Sequence, residues 1–358
     1  MHRICAFVVS ILFSLSLVTG AFAAEYKKEY RLNVVPDTGE GWCWGMAAVY
    51  FANLVKAKSD NRINIKVYGN SKLTSGMQTS EFLLVRNGTI DFTLASTINW
   101  SPQVQELNLP SLPFFISHEP DRYKAIDAIE AGQAGKMMIA AVEKKGVHFI
   151  GWAENGYREL TTNKKVTCLA DLKDMKIRVV GSPIFIDIFR ALGANPESIN
   201  WGNAVRGFKL GTIEGQENPM VGMNIPAEVW QHHKFHYDWH YLIDPLMLCS
   251  NLDVWKSFTP EDQKIIIQCA KEMELYSKAL ARLGQDPKYL EYLKKINMVP
   301  KLTDPFAFLK EHGVTITYPT KEQLDEFYKA TEEVRKKWAK KIGQKIVDAA
   351  IEDMAKVR

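Results

Sequence analysis

The sequence predicts a two-domain α/β fold, and three observations carry that expectation. The chain has 358 residues, beyond the length at which a single hydrophobic core keeps growing. Strand and helix patterns alternate over short connections in its first third, the order of a parallel sheet covered by helices. The same plan starts again near Asn155. Apolar residues make up 46% and charged residues 24%, so the core supply is that of an ordinary globular protein.

The first 24 residues read as a secretory signal. His2 and Arg3 precede the apolar run Ile4 to Val18, and Ala21-Phe22-Ala23 offers a small-x-small cleavage site. The run is short for a membrane span, and Cys5 lies too early to carry a lipid after cleavage. The remainder is expected free in the periplasm. Arg31 to Val35 then reads as a strand stopped by Pro36-Asp37-Thr38-Gly39. Trp42 to Lys58 places Trp44, Ala47, Ala48, Phe51, Leu54 and Val55 at helical spacing. Ile63, Ile65 and Val67 alternate along a strand reaching Tyr68. Glu81 to Arg86 suits a helix closed by Asn87-Gly88, and Ile90 to Ala95 returns as a strand. Trp42, Trp44 and Trp100 all follow carboxyl ends of strands, the edge that faces a ligand crevice in open α/β sheets. Prolines exclude residues 107–115 from a central strand or helix interior. Tyr123 to Lys145 is helical in period, and Val147 to Trp152 is a strand.

The second domain opens with the strand Lys176 to Val180, where Ile177 and Val179 face one side and Arg178 the other. Ser182 stands where it would cap the helix Pro183 to Leu192. A helix Trp201 to Leu210 and a strand Thr212 to Glu217 follow, leaving Asn218 at that strand's carboxyl end. Arg178 also projects near a strand's carboxyl end. Its guanidinium offers a carboxylate two parallel N–H donors, which lysine cannot. Thr259-Pro260-Glu261-Asp262 begins a long helix running to Leu283. Residues 320–358 suit one or two amphipathic helices with Phe327, Val334, Trp338, Ile342 and Ile346 as the buried stripe.

Several function classes are excluded by pattern. A net charge of +4 is small for this length, and no basic run is interleaved with aromatics, so no nucleic-acid partner is expected. Cys43, Cys168, Cys249 and Cys269 match no disulfide framework or zinc spacing. His232, His236 and His240 recur at i, i+4, i+8, but 235–242 is rich in strand formers and shows no compact set of further ligands, so no metal is expected. Nucleophile-elbow, HExxH and phosphate-loop motifs are missing, so neither catalysis nor a cofactor is expected.

Three segments in order, Gly156-Tyr157-Arg158-Glu159-Leu160-Thr161-Thr162-Asn163, Asp171 to Arg178, and Glu214-Gly215-Gln216-Glu217-Asn218-Pro219, resemble the substrate-binding proteins of tripartite ATP-independent periplasmic (TRAP) transporters, the DctP type. The resemblance covers roughly residues 32–268. It implies a periplasmic binding protein clam shell, hinged by two crossings near Asn155 and Tyr241 and by the long helix that follows. Residues 25–154 with 242–284 would form the first domain, and 155–241 with 285–358 the second. It further implies that Arg178 clamps a ligand carboxylate, that Arg158 and Asn218 support it, that Trp201 is an aromatic wall, and that His240 approaches the cleft. The partners implied are a small organic carboxylate and the membrane permease subunits, with the receptor itself a monomer. Four tryptophans, Trp42, Trp44, Trp100 and Trp201, with few amides or acids in the first domain's loops, point to an aromatic or apolar acid. A sugar acid and a short dicarboxylate are the alternatives. A periplasmic enzyme and the receptor of an ATP-driven importer are the alternative classes. Residues 287–320 are longer and more basic than the family pattern implies.

Overall fold

The computed structural model describes residues 26–358. The expected secretory signal lies outside the described residues. Among the described residues nine strands form one sheet: β1 (Tyr30–Asn33), β2 (Ile65–Tyr68), β3 (Phe92–Ser96), β4 (Val147–Thr162), β5 (Lys176–Val179), β6 (Asn195–Ser198), β7 (Gly215–Pro219), β8 (Phe235–Asn251) and β9 (Thr315–Thr317). Their order is β2-β1-β3-β8-β4-β7-β5-β6, with β9 beside β8. β1 runs parallel to β2 and β3, and β5 runs parallel to β6 and β7. These are the two α/β halves that the sequence implied. Between them β4 and β8 pair antiparallel, and each contributes to both halves.

β4 is 16 residues long and β8 is 17. At about 3.3 Å per residue each spans roughly 50 Å, enough to cross the molecule. Their register shifts at Phe149/Gly151, Glu154/Gly156 and Arg158/Leu160. The middle shift needs glycine: Gly156 has φ +108°, and a Cβ there would lie 3.1 Å from the Ala281 carbonyl oxygen.

The helices are α1 (Cys43–Lys58), α2 (Glu81–Arg86), α3 (Thr97–Trp100), α4 (Arg122–Ala131), α5 (Gln133–Lys144), α6 (Pro183–Ala191), α7 (Trp201–Lys209), α8 (Leu252–Ser257) and α9 (Pro260–Ala281), then α10 (Pro287–Lys295), α11 (Pro305–Glu311), α12 (Lys321–Ala330), α13 (Glu332–Ile342) and α14 (Gln344–Ala355). α1 buries Trp44, Ala47, Ala48, Phe51 and Val55 of the stripe read from the sequence, and leaves its Leu54 half-buried. α9 starts as expected, with Pro260 in its first turn and the Thr259 hydroxyl accepting from the Asp262 N–H, and it lies across β4 and α1. Ser182 does not cap α6. Its hydroxyl is 2.7 Å from that of Ser101, a bond from one half to the other.

Residues 287–320, silent in the sequence, fold into α10, α11 and β9 and bury Leu293, Leu309 and Val314 with Tyr276, Leu280 and Leu283. The C-terminal segment makes three helices where one or two were expected, and all five residues of the expected stripe are buried. α13 packs on α6 and α14 packs on α4 and α5, so this segment touches both halves. The four cysteines of the described residues are free thiols, three of them buried. No helix among the described residues is long and apolar enough to cross a membrane.

Candidate functional site

A small cavity lies between the halves, where the carboxyl ends of β3 and β5 meet the crossing strands. Arg178, Arg158, Asn218, Trp44 and Trp201 line it together. Their convergence follows from local structure. β5 ends one residue after Arg178, β7 ends one residue after Asn218, and α7 starts at Trp201. Asn155 and Arg158 stand three apart on β4, a spacing that puts side chains on opposite faces of a regular strand. The register shift at Glu154/Gly156 turns both towards the cavity.

The two arginines are in different electrostatic states. Arg158 is neutralised: Nε and Nη2 donate to the two carboxylate oxygens of Glu217, the Nη2 contact being 2.8 Å, and Nη1 lies 3.2 Å from Asp244 Oδ2. Tyr241 Oη donates to Glu217 at 2.6 Å, and Ser96 Oγ and Asn155 Nδ2 donate to Asp244 at 2.5 and 2.9 Å. Burial works against the Arg158 charge, but Glu217 and Asp244 outweigh it and hold its pKa above the ordinary value. Arg178 lacks such compensation. Its Nε donates 2.8 Å to the Ile199 carbonyl, its guanidinium lies 5.6 Å from the Trp201 ring centre, and among the described residues no carboxylate pairs with it. Burial pushes its pKa down to about 10, with Glu217 pulling up and Arg158 adding to the depression. A buried cation in that state is stabilised by an arriving anion.

Polar groups from the first half complete the lining. Gln78, Ser96 and Asn99 reach it, and Asn155 and Asp244 come from the crossing strands. Val35, Val180 and Met223 join the two tryptophans as apolar wall. Trp44 spends its Nε1–H on the Leu94 carbonyl at 2.7 Å, so only its ring faces the cavity. Gln78, Asn99, Asn155 and Asp244 escaped the sequence analysis. A usable signal existed for one of them: Asp244 is a lone acid inside the apolar run Tyr241 to Leu248.

Three expected site residues lie elsewhere. Trp100 is fully buried in the first half, with its ring 5.0 Å from that of Phe82 and its Nε1–H donating to Glu81 at 3.2 Å. Trp42 precedes α1 and borders a neighbouring groove with Asn70 and Trp201. His240 sits on the β8 bulge beside Glu159 and Asp238, on a separate face from the cavity. Position after a strand placed Trp42 and Trp100 near the crevice, and the family resemblance placed His240 there, without deciding which way their side chains turn.

The halves touch over the cavity. The Trp201 N–H donates to Gln78 Oε1 at 3.2 Å, Ser101 meets Ser182, and a Cβ at Gly181 would come within 2.8 Å of the Thr79 methyl. The arrangement is that of a closed shell.

Residues 37–341 match the family model of bacterial extracellular solute-binding protein family 7, DctP. The chain belongs to that family. It is similar to a TRAP periplasmic solute-binding protein of Ralstonia eutropha, solved with bound (S)-2-acetolactate, at 41% identity and TM-score 0.83 over 92% of this chain and all of that one. The 2,3-diketo-L-gulonate-binding periplasmic protein YiaO of Escherichia coli is 28% identical over 260 residues, 72% of this chain and 76% of its own length. The sugar acid binding protein DctPAm of Advenella mimigardefordensis, solved with galactonate, shares the fold at TM-score 0.79 and 20% identity over 92% of this chain and 99% of that one. The chain is therefore a periplasmic solute receptor of the TRAP type, with the two-domain fold of that family, and it is not an enzyme.

Proposed function

We propose that this receptor captures a small 2-hydroxy or 2-oxo monocarboxylate of the acetolactate class and, acting as a monomer, hands it to the TRAP membrane subunits. The observation that carries the reading is the one cation lining the cavity with which no carboxylate pairs among the described residues. With Arg158 already held by Glu217 and Asp244, Arg178 is left to receive one carboxylate. A two-point bond from guanidinium to carboxylate suits that role. The 41% identical relative with its acetolactate ligand supports the same chemistry. Asn99 and the unpartnered Oδ1 of Asn155 offer partners for hydroxyl or oxo groups, while Trp44, Val180 and Met223 suit methyl groups.

The aromatic or apolar acid expected from the tryptophans is disfavoured on two counts. Trp42 and Trp100 do not line the cavity, and the first half contributes the carboxamides of Gln78 and Asn99, whose N–H donors an apolar ring would leave unpaired. A sugar acid is the second reading, favoured by the same polar lining. A calorimetric screen against 2-acetolactate, 2-hydroxy-2-methylbutanoate, galactonate, glucuronate, succinate and indole-3-acetate tests the choice. Tightest binding of the two branched acids is expected. Tighter binding of galactonate or glucuronate would move the assignment to sugar acids.

A further inference from the structure

On the other face of the crossing strands lies a second group of converging side chains. The bulge in β8 places four residues, Asp238 to Tyr241, between the pairs Leu160–Tyr237 and Arg158–Leu242, opposite Glu159 on β4. His240 takes a left-handed backbone, φ +50°, in the middle of it. That conformation is uncommon for a residue other than glycine and clusters at ligand clamps and functional sites. His240 Nδ1 thereby comes 3.7 Å from Asp238 Oδ2 and 3.9 Å from Glu159 Oε1, and one ligand atom from each residue falls within 4.8 Å of the others.

Glu159 supplies the independent observation. It is 2% exposed, its Oε2 accepts from the His240 N–H at 3.0 Å, and its Oε1 has no hydrogen-bond partner. An unsatisfied buried carboxylate oxygen is costly unless a proton or cation meets it. Arg122, whose charge reaches Glu159 and Asp238, turns its Nε–H to the Ser117 carbonyl at 2.9 Å and makes no ion pair with either carboxylate. Glu159 and Asp238 also border a small cavity with Gln285, whose carboxamide oxygen is a further ligand of the right kind.

We propose that Glu159, Asp238 and His240 bind a divalent transition-metal ion of the zinc type, tying β4 to the β8 bulge. One imidazole with two carboxylates suits such ions, whereas calcium and magnesium take oxygen alone. Ligands about 2.0–2.1 Å from a tetrahedral ion stand about 3.3 Å apart, so the observed separations close on an ion by small side-chain rotations. His236 Nε2, 3.3 Å from Asp238 Oδ1, holds that carboxylate from outside, as outer partners do in metal centres. The ion would brace the hinge strands of the receptor.

The test is titration of chelator-treated full-length mature protein with zinc chloride by calorimetry, and with cobalt chloride by visible absorption, in the absence of any organic acid. One equivalent of each ion is expected, with a cobalt ligand-field band. His240→Gln and Glu159→Gln should each weaken binding by more than about a hundredfold and abolish the band, and His236→Gln should weaken it by about ten- to a hundredfold. Near-ultraviolet circular dichroism reports whether each variant is folded, and the isosteric Glu159→Gln carries the test if His240→Gln is not. Absence of saturable one-equivalent binding by the wild type overturns the proposal, as does binding that both variants leave unchanged. Because no acid is present, this result is independent of the ligand assignment.

Discussion

Replacing Arg178 by methionine separates binding from folding. In the wild type the Arg178 guanidinium is buried, bonded through Nε to Ile199, and held without a carboxylate partner, its pKa pushed down to about 10. In the proposed function the ligand carboxylate supplies the missing partner. Truncating one member of a buried, hydrogen-bonded charge pair costs about 2–5 kcal/mol. At about 1.4 kcal/mol per decade, affinity falls about thirty- to four-thousandfold. The unliganded protein should respond in the opposite sense, since methionine removes a charge that burial disfavours and keeps the side chain's packing. Its Tm should hold or rise. Titration calorimetry of the tightest acid, with a thermal melt of the unliganded variant, reads both quantities. Affinity within threefold of wild type, or a collapse of the unliganded fold, would refute the assignment of Arg178 as the clamp.

Arg158→Met should do the reverse, because it strands the Glu217 and Asp244 carboxylates; breaking such a buried network costs about 3–5 kcal/mol. The unliganded Tm should drop by roughly 5–10 °C, and an unchanged melt would show that the network is not structural. Gly181→Val places a branched side chain against Thr79 across the closed cleft, where overpacking costs about 1–3 kcal/mol. It should weaken ligand binding by about five- to a hundredfold and leave a larger radius of gyration at saturation, by solution scattering, than the wild type shows. Buried Glu81 has its pKa raised by desolvation to about 7, despite bonds from Asn33, Thr93 and Trp100. With the folded value above the unfolded one, its stabilising contribution is full below about pH 4.5 and is lost as pH rises through 7, about 3 kcal/mol in all. Glu81→Gln should therefore flatten the decline of Tm between pH 5 and 8, and an equally steep decline in the variant would contradict the shift.

Local signals were the legible part of the fold. α1, α2 and α9 start and stop within two residues of expectation because their apolar stripes and caps are short-range features. β4 and β8 read as shorter than they are, since strands buried on both faces carry no alternation. β6, with Pro196 between Asn195 and Glu197, has a turn composition and gains its strand only by pairing with β5 at the sheet edge. Arg178 and Asn218 were legible because each stands at the end of its strand. The state of Arg158 was not, for its carboxylates lie 59 and 86 residues away. The same limit hid Asp244 and Gln78 and allowed Trp100 to pass as a cleft residue. The bulge that gathers Glu159, Asp238 and His240 is likewise invisible in a run of strand formers.

The most direct measurement is a crystal structure of the receptor with the tightest acid of the screen. The ligand carboxylate should lie in the plane of the Arg178 guanidinium, with both oxygens about 2.7–2.9 Å from its nitrogens. Arg158 should still bind Glu217 and Asp244. A carboxylate seated on Arg158, with Glu217 displaced and Arg178 left without an anion, would contradict the account.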